Sequence, residues 1–363
     1  MRVAGRPTRT IERNATRDAL RIIDQRQLPH RFEWARLGDL EQVERAIREM
    51  WLRGAPLIGA AAAYGIALQA NVDASDAALE RAVARLAQTR PTAVNLGWAL
   101  ARMRGRLQAL PLAERARAAW DEADAIAEAD VATNAAIGRH GAALLEQAAE
   151  RNGGGRVDVL THCNAGWLAT VDWGTATAPL YRARERGIDL HVWVDETRPR
   201  NQGASLTAWE LAHEGVPHTV IADNAGGHLM QRGEVDLVLV GCDRVSARGD
   251  VCNKIGTYLK ALAAHDNGVP FYVAMPLSTL DLGIADGLAG IPIEERDPRE
   301  VTHIVGSDAA GTLVEVRLTP AGSAAANPAF DVTPARLVSA LVTERGIVAA
   351  TPDAIAAIAA PPR

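Results

Sequence analysis

At 363 residues the chain exceeds what a single hydrophobic core usually organises and has room for two domains. Hydrophobic residues make up 48% and charged residues 23%, with both signs interspersed, which excludes a largely disordered chain. The net charge of −5 supplies no broad basic field for a nucleic-acid backbone, so no nucleic-acid partner is expected and any anion site has to be local.

The opening segment, residues 1–25, is polar and broken by acids, which fits neither the apolar core of a signal peptide nor an acid-free transit segment. A cytoplasmic location is expected. The three cysteines, Cys163, Cys242 and Cys252, agree, because an odd number without a CxxC pair argues against both a disulfide framework and a zinc knuckle. Beyond a short strand-prone stretch, Asp39 is placed to cap a helix carrying Leu40, Val43, Ile47 and Met50 at spacings of three and four. The most apolar stretch, Ala55 to Leu68, is shorter than the roughly 20 residues of a membrane span and reads as a core helix, so no membrane is expected. Ser75 is suited to cap the next helix, with Leu79, Val83 and Leu86 on its inner face, and Pro91 to open another. An Ala- and Glu-rich stretch then runs to Asn152-Gly153-Gly154-Gly155, where glycines end the helix. These glycines read as a linker, since no Lys-Ser or Lys-Thr follows to make a phosphate loop. The domain boundary is set there: residues 1–150 as a mainly helical domain, residues 151–363 as a second one.

After the linker the periodicity changes. Val157 to Leu160, Leu190 to Val194, His218 to Ala222, Val235 to Val240 and Phe271 to Ala274 are short β-branched or apolar runs separated by helix-length segments. That alternation predicts an α/β fold whose C-terminal domain is a Rossmann-like, doubly wound parallel sheet. Such sheets bind ligands beyond the carboxyl ends of their strands. Here those ends read Thr161-His162-Cys163-Asn164-Ala165-Gly166, Asp195-Glu196-Thr197-Arg198-Pro199, Asp223-Asn224, Gly241-Cys242-Asp243-Arg244 and Met275-Pro276-Leu277-Ser278. No GxGxxG follows the first strand, so a dinucleotide is not expected.

These strand ends resemble the methylthioribose-1-phosphate isomerase family when taken with Arg53-Gly54-Ala55-Pro56, Arg90-Pro91-Thr92-Ala93-Val94-Asn95, Asn253-Lys254-Ile255-Gly256-Thr257 and Asn327-Pro328-Ala329-Phe330-Asp331. The strongest segments are Val240 to Tyr258 and Asp195 to Gly203. The resemblance implies an isomerase that converts 5-methylthioribose 1-phosphate to its ketose without metal or other cofactor. It assigns Asp243 as the acid that opens the sugar ring and Cys163 as the group beside the C1–C2 transfer. It assigns Arg53, Gly54, Ala55, Arg90, Gln202, Asn253 and Lys254 to substrate, and it implies a homodimer joined through the sheet domain. Two alternatives share the fold: an isomerase of 5-deoxyribose 1-phosphate or ribose 1,5-bisphosphate, and a non-catalytic regulatory subunit of the translation-initiation exchange complex. An aspartic acid doing acid work at neutral pH needs desolvation, which the apolar run before Asp243 offers, provided Arg244 turns away. For Cys163, N–H groups at a helix terminus formed by Asn164-Ala165-Gly166 are expected to favour the thiolate. His162 reads as a hydrogen-bonded structural residue, and Cys242 and Cys252 as packing.

Overall fold

The computed structural model describes residues 1–90 and 93–360, and the chain opens on short strands. β1 (Arg2–Val3) and β2 (Arg6–Pro7) form a ribbon, and β3 (Ile11–Arg13), β4 (Leu20–Ile23) and β5 (Trp34–Leu37) form an antiparallel sheet. Ile11, Leu20, Ile22 and Leu37 turn one face of that sheet into the first core. Asp39 caps α1 (Leu40–Arg48), its carboxylate accepting from the Gln42 N–H at 2.8 Å. The helix stops short of Met50, which takes a left-handed conformation (φ 56°) and lines a cleft instead of extending the buried stripe.

α2 (Ala55–Val72) runs four residues past the apolar stretch that marked it. Its 18 residues are long and apolar enough to cross a membrane by composition, yet 78% of them are buried inside the protein, as in a core helix. α3 (Asp76–Ala87) starts at Ser75, whose hydroxyl accepts from the Ala78 N–H, and α4 (Val94–Gln108) follows. The helix start expected at Pro91 lies outside the described residues, as does Thr92. α5 (Leu112–Arg151) is 40 residues long and serves two cores. Trp120, Ala123 and Ile126 pack against α2, while Ile137, Leu144, Leu145 and Ala148 pack against the sheet that follows.

That sheet contains each of the five runs identified from periodicity. β6 (Val157–Thr161), α6 (Thr177–Glu185), β7 (Leu190–Asp195), α7 (Ala208–His213), β8 (His218–Ile221), α8 (Ala225–Gln231) and β9 (Leu237–Val240) alternate as expected. β10 (Arg244–Ser246), β11 (Val251–Lys254) and α9 (Thr257–Asp266) precede β12 (Phe271–Ala274) and β13 (Leu280–Asp281). After the short helices α10 (Gly287–Gly290) and α11 (Arg299–Thr302), β14 (His303–Ser307) and β15 (Leu313–Arg317) form a hairpin. β16 (Phe330–Thr333), β17 (Ala340–Thr343), β18 (Gly346–Val348) and α12 (Pro352–Ala359) complete the described chain.

The main sheet has the order β8-β7-β6-β9-β12-β17-β18 and is parallel apart from its last strand. Its order reverses between β6 and β9, so the loops after these two neighbouring strands diverge and leave a crevice at their carboxyl ends. A second sheet, β13-β10-β11-β16, stands beside that crevice. Its strands are two to four residues long and carry Arg244, Asn253, Lys254, Asp281 and Asp331, so no apolar run marks them as the runs of the main sheet were marked.

Candidate active site

Cys163 lies two residues beyond β6 and Asp243 three beyond β9, so the topological switch point brings the two loops together. Both line one open cleft of about 1000 Å³, and so do Arg53, Gly54, Ala55, Arg90, Gln202, Asn253 and Lys254. One wall comes from α2 and the loops before α2 and α4, the other from the carboxyl ends of the sheet strands and from β11.

Cys163 is buried and left-handed (φ 67°). A non-glycine residue in that conformation costs on the order of 1–3 kcal/mol and persists only where its surroundings impose it. Here the Cys163 N–H donates to Thr197 Oγ1 at 2.8 Å, and the Thr207 hydroxyl donates to the Cys163 carbonyl at 2.7 Å. The thiol donates to Gln202 Oε1 at 3.2 Å. The expected helix terminus is not there: the chain after Cys163 makes only a single 3-10 turn, Trp167–Ala169, because Asn164 and Gly166 are held by Glu210 and by the bridge to Gly174.

Asp243 donates its N–H to the Cys252 carbonyl (2.9 Å), which aims the side chain into the cleft mouth. The residue is only half-buried, yet desolvation dominates its carboxyl and raises its pKa above the ordinary value. Lys254, Arg90, Arg53 and Arg296 pull the other way without cancelling it. Arg244 reaches Asp281 at 3.3 Å.

The cations are positioned one by one. Gly54 starts α2 with φ 98°, and a Cβ there would fall 2.3 Å from the Ala169 carbonyl oxygen, so only glycine fits where α2 opens onto the cleft. The preceding Arg53 is buried and clamps Asn164 twice, Nη1 donating to Oδ1 at 2.6 Å and Nη2 to the carbonyl at 2.7 Å. Asn164 in turn donates to Glu210 Oε1 (2.9 Å), and the same carboxyl accepts from the N–H groups of Trp167 (3.0 Å) and Leu168 (2.8 Å). Burial pushes Glu210 up to about 7 despite those bonds. Lys254 donates to the Ala329 carbonyl at 2.7 Å and lies 4.8 Å above the Phe330 ring. Burial and then the charge of Arg296 bring it down to about 8. Asn253 donates to Thr257 Oγ1 at 3.0 Å. Arg90 is largely buried and lies 3.6 Å from Glu294.

Arg296 also lines the cleft, and the sequence reading missed it. The only signal was a charged run, Glu294-Glu295-Arg296, of the kind that usually marks a solvated face. His162 is fully buried, with Nδ1 2.8 Å from Asp195 and Nε2 2.8 Å from the Ile255 carbonyl, a structural arrangement beneath Cys163. His162, Asp195 and Asp223 are close enough to hold a metal ion, but the Lys260 ammonium already pairs with Asp195 at 3.0 Å and donates to the Asp223 carbonyl. Cys252 is buried and Cys242 half-buried, and desolvation raises both thiols above their ordinary range. Both are neutral thiols, and both line the cleft wall rather than lying wholly in a core.

Residues 52–350 match the family described as the Initiation factor 2 subunit family. A protein named methylthioribose-1-phosphate isomerase from Acidiphilium cryptum (strain JF-5) is 64% identical over 359 residues, covering 99% of this chain and 97% of that protein. The crystal structure of 5-methylthioribose 1-phosphate isomerase from Pyrococcus horikoshii OT3 superposes with a TM-score of 0.83 at 40% identity, over 96% of this chain and 95% of that one. A structure described as the translation initiation factor eIF-2B, subunit delta, from A. fulgidus superposes with a TM-score of 0.77 at 39% identity, over 94% and 96%. The chain belongs to the methylthioribose-1-phosphate isomerases of the Initiation factor 2 subunit family.

Proposed function

We propose that the protein converts 5-methylthioribose 1-phosphate to 5-methylthioribulose 1-phosphate, an aldose-to-ketose isomerisation in methionine salvage. The observation that carries this reading is the meeting of Cys163 with Asp243, whose carboxyl desolvation pushes upward, in one cleft among Arg53, Arg90 and Lys254. The substrate's anomeric oxygen bears phosphate, so the furanose does not open by itself. Asp243 delivers a proton to the ring oxygen, which lets the ring open while the phosphate stays attached. Hydrogen then moves from C2 to C1 beside Cys163, whose thiol is oriented by Gln202, and the C2 hydroxyl releases its proton as C2 becomes the ketone, which restores the proton that Asp243 gave up. Arg53, Arg90 and Lys254 hold the phosphate, helped by the N–H groups where α2 begins at Gly54 and Ala55. Asn253 and Gln202 complete the polar contacts. Met50, Ile58, Ile291 and Phe330 give the cleft apolar walls, which suits a thiomethyl group better than the second phosphate of ribose 1,5-bisphosphate. Comparing turnover of the methylthio, deoxy and bisphosphate sugars by product NMR tests this; fastest turnover of the bisphosphate would overturn it.

The chain works as a cytoplasmic homodimer joined through the sheet domain, divided near residue 150 into its helical and sheet domains, and it needs neither nucleic acid nor membrane. Retention of both Cys163 and Asp243 supports an enzyme over a regulatory subunit of an exchange complex.

A further inference from the structure

Residues 291–297 form no helix or strand, yet they are fastened to the run Asn327–Ala329. Arg296 donates its N–H to the Asn327 carbonyl (3.0 Å), Ala329 donates to the Glu294 carbonyl (2.8 Å), and the Asn327 side chain donates to the Asp297 carbonyl (2.9 Å). The carbonyl of Ala329 is also the acceptor for Lys254. This fastening sets Arg296 into the cleft, 5.4 Å from the Phe330 ring that also carries Lys254.

Glu294 stands between two of the cations. Its Oε1 accepts from Arg296 Nε at 2.9 Å, and its Oε2 lies 3.6 Å from Arg90, too long for a hydrogen bond. The Arg90 Nε is buried and has no hydrogen-bond partner among the described residues. Arg90 and Arg296 therefore share the Glu294 carboxylate, Asp243 is the other carboxyl acting on Arg90 and Lys254, and Arg296 opposes the charge of both of those cations, so that Arg53, Arg90, Lys254 and Arg296 outnumber the two acids. Buried positive charge in excess is costly unless an anion joins it, and a phosphate monoester brings roughly 1.5 to 2 negative charges with three acceptor oxygens.

We propose that Arg296 binds the substrate phosphate and that Glu294 is its internal placeholder, keeping Arg90 and Arg296 aligned until the phosphate takes their hydrogen bonds. The assignment rests on the isomerase reading for the identity of the anion.

Calorimetric titration of inorganic phosphate into the full chain tests it. Arg296→Met is expected to weaken phosphate binding at least about fivefold, and Arg296→Lys less, because a single point charge replaces the guanidinium fork. Glu294→Gln is expected to tighten it about threefold, since the competing carboxylate is gone. In both arginine variants the KM for methylthioribose 1-phosphate rises by more than kcat falls, because the contact exists in ground and transition states alike. A smaller loss in Arg296→Met, or unchanged or weaker binding in Glu294→Gln, overturns the proposal. If Arg296→Met fails to fold, Arg296→Lys and Glu294→Gln decide the same question. A parent protein that does not turn over the sugar phosphate rejects the isomerase reading alone, because the phosphate titrations need no turnover.

Discussion

A carboxyl that gives up a proton at neutral pH needs its pKa raised well above the ordinary carboxylate range. Desolvation of Asp243 against the fully buried strand Leu237–Val240 acts in that direction, while four nearby cations oppose it. Asp243→Asn keeps the shape and removes the proton, so turnover is expected to fall by about 10²–10⁴ with the folded state retained. Cys163→Ser is expected to do the same, read by product NMR alongside thermal melting; near-parental rates in either would remove the mechanism. Lys254 titrates at about 8, so it is cationic below that pH and neutral above it. The KM is therefore expected to be flat between about pH 6, below which the substrate phosphate itself takes up a proton, and about pH 8, and to climb as the pH rises through about 8. A KM that stays level to pH 9.5 would show that Lys254 does not hold the phosphate.

At the scale of elements, the loop from His162 to Ala169 is shaped by partners distant in sequence. Glu210, on α7, accepts from Asn164, Trp167 and Leu168, and it lies so close to Gly166 that any Cβ there would overlap its carboxyl. Glu210→Ala leaves the buried Trp167 and Leu168 N–H groups without an acceptor and Asn164 with Thr207 alone, and a loss of about 3 kcal/mol in urea unfolding is expected. The same residue carries a pH signature. Its pKa in the fold, about 7, is above its ordinary value of 4.5, so its contribution is fully present below 4.5 and is lost as the pH rises through about 7. Glu210→Gln should flatten that part of the stability profile; a slope unchanged from the parent would point to other groups, such as Asp130, which is also pushed up to about 7.

For the whole molecule, the long α5 joins the two cores, so the walls of the cleft are linked by a continuous helix as well as by the site itself. Sedimentation is expected to give twice the 38.6 kDa chain mass; a monomer at micromolar concentration would contradict the proposed dimer.

The amino-acid order alone determined five of the seven strands of the main sheet, because β-branched runs such as Val157 to Leu160 bounded by turn residues have few alternatives, but it did not mark β17 and β18. It also determined the caps at Asp39 and Ser75 and the reactive residues at strand ends, since these depend on near neighbours in the chain. Only the tertiary structure decided how Cys163 is held, since Thr197, Gln202, Thr207 and Glu210 are local to it in space and not in sequence. It alone showed that no helix begins after Cys163 and that Met50 leaves its helix for the cleft. It also drew Arg296 out of an apparently solvated charged run. The physical reason is common to these cases: desolvation, charge and hydrogen bonding act over a few ångströms of space, whatever the separation along the chain.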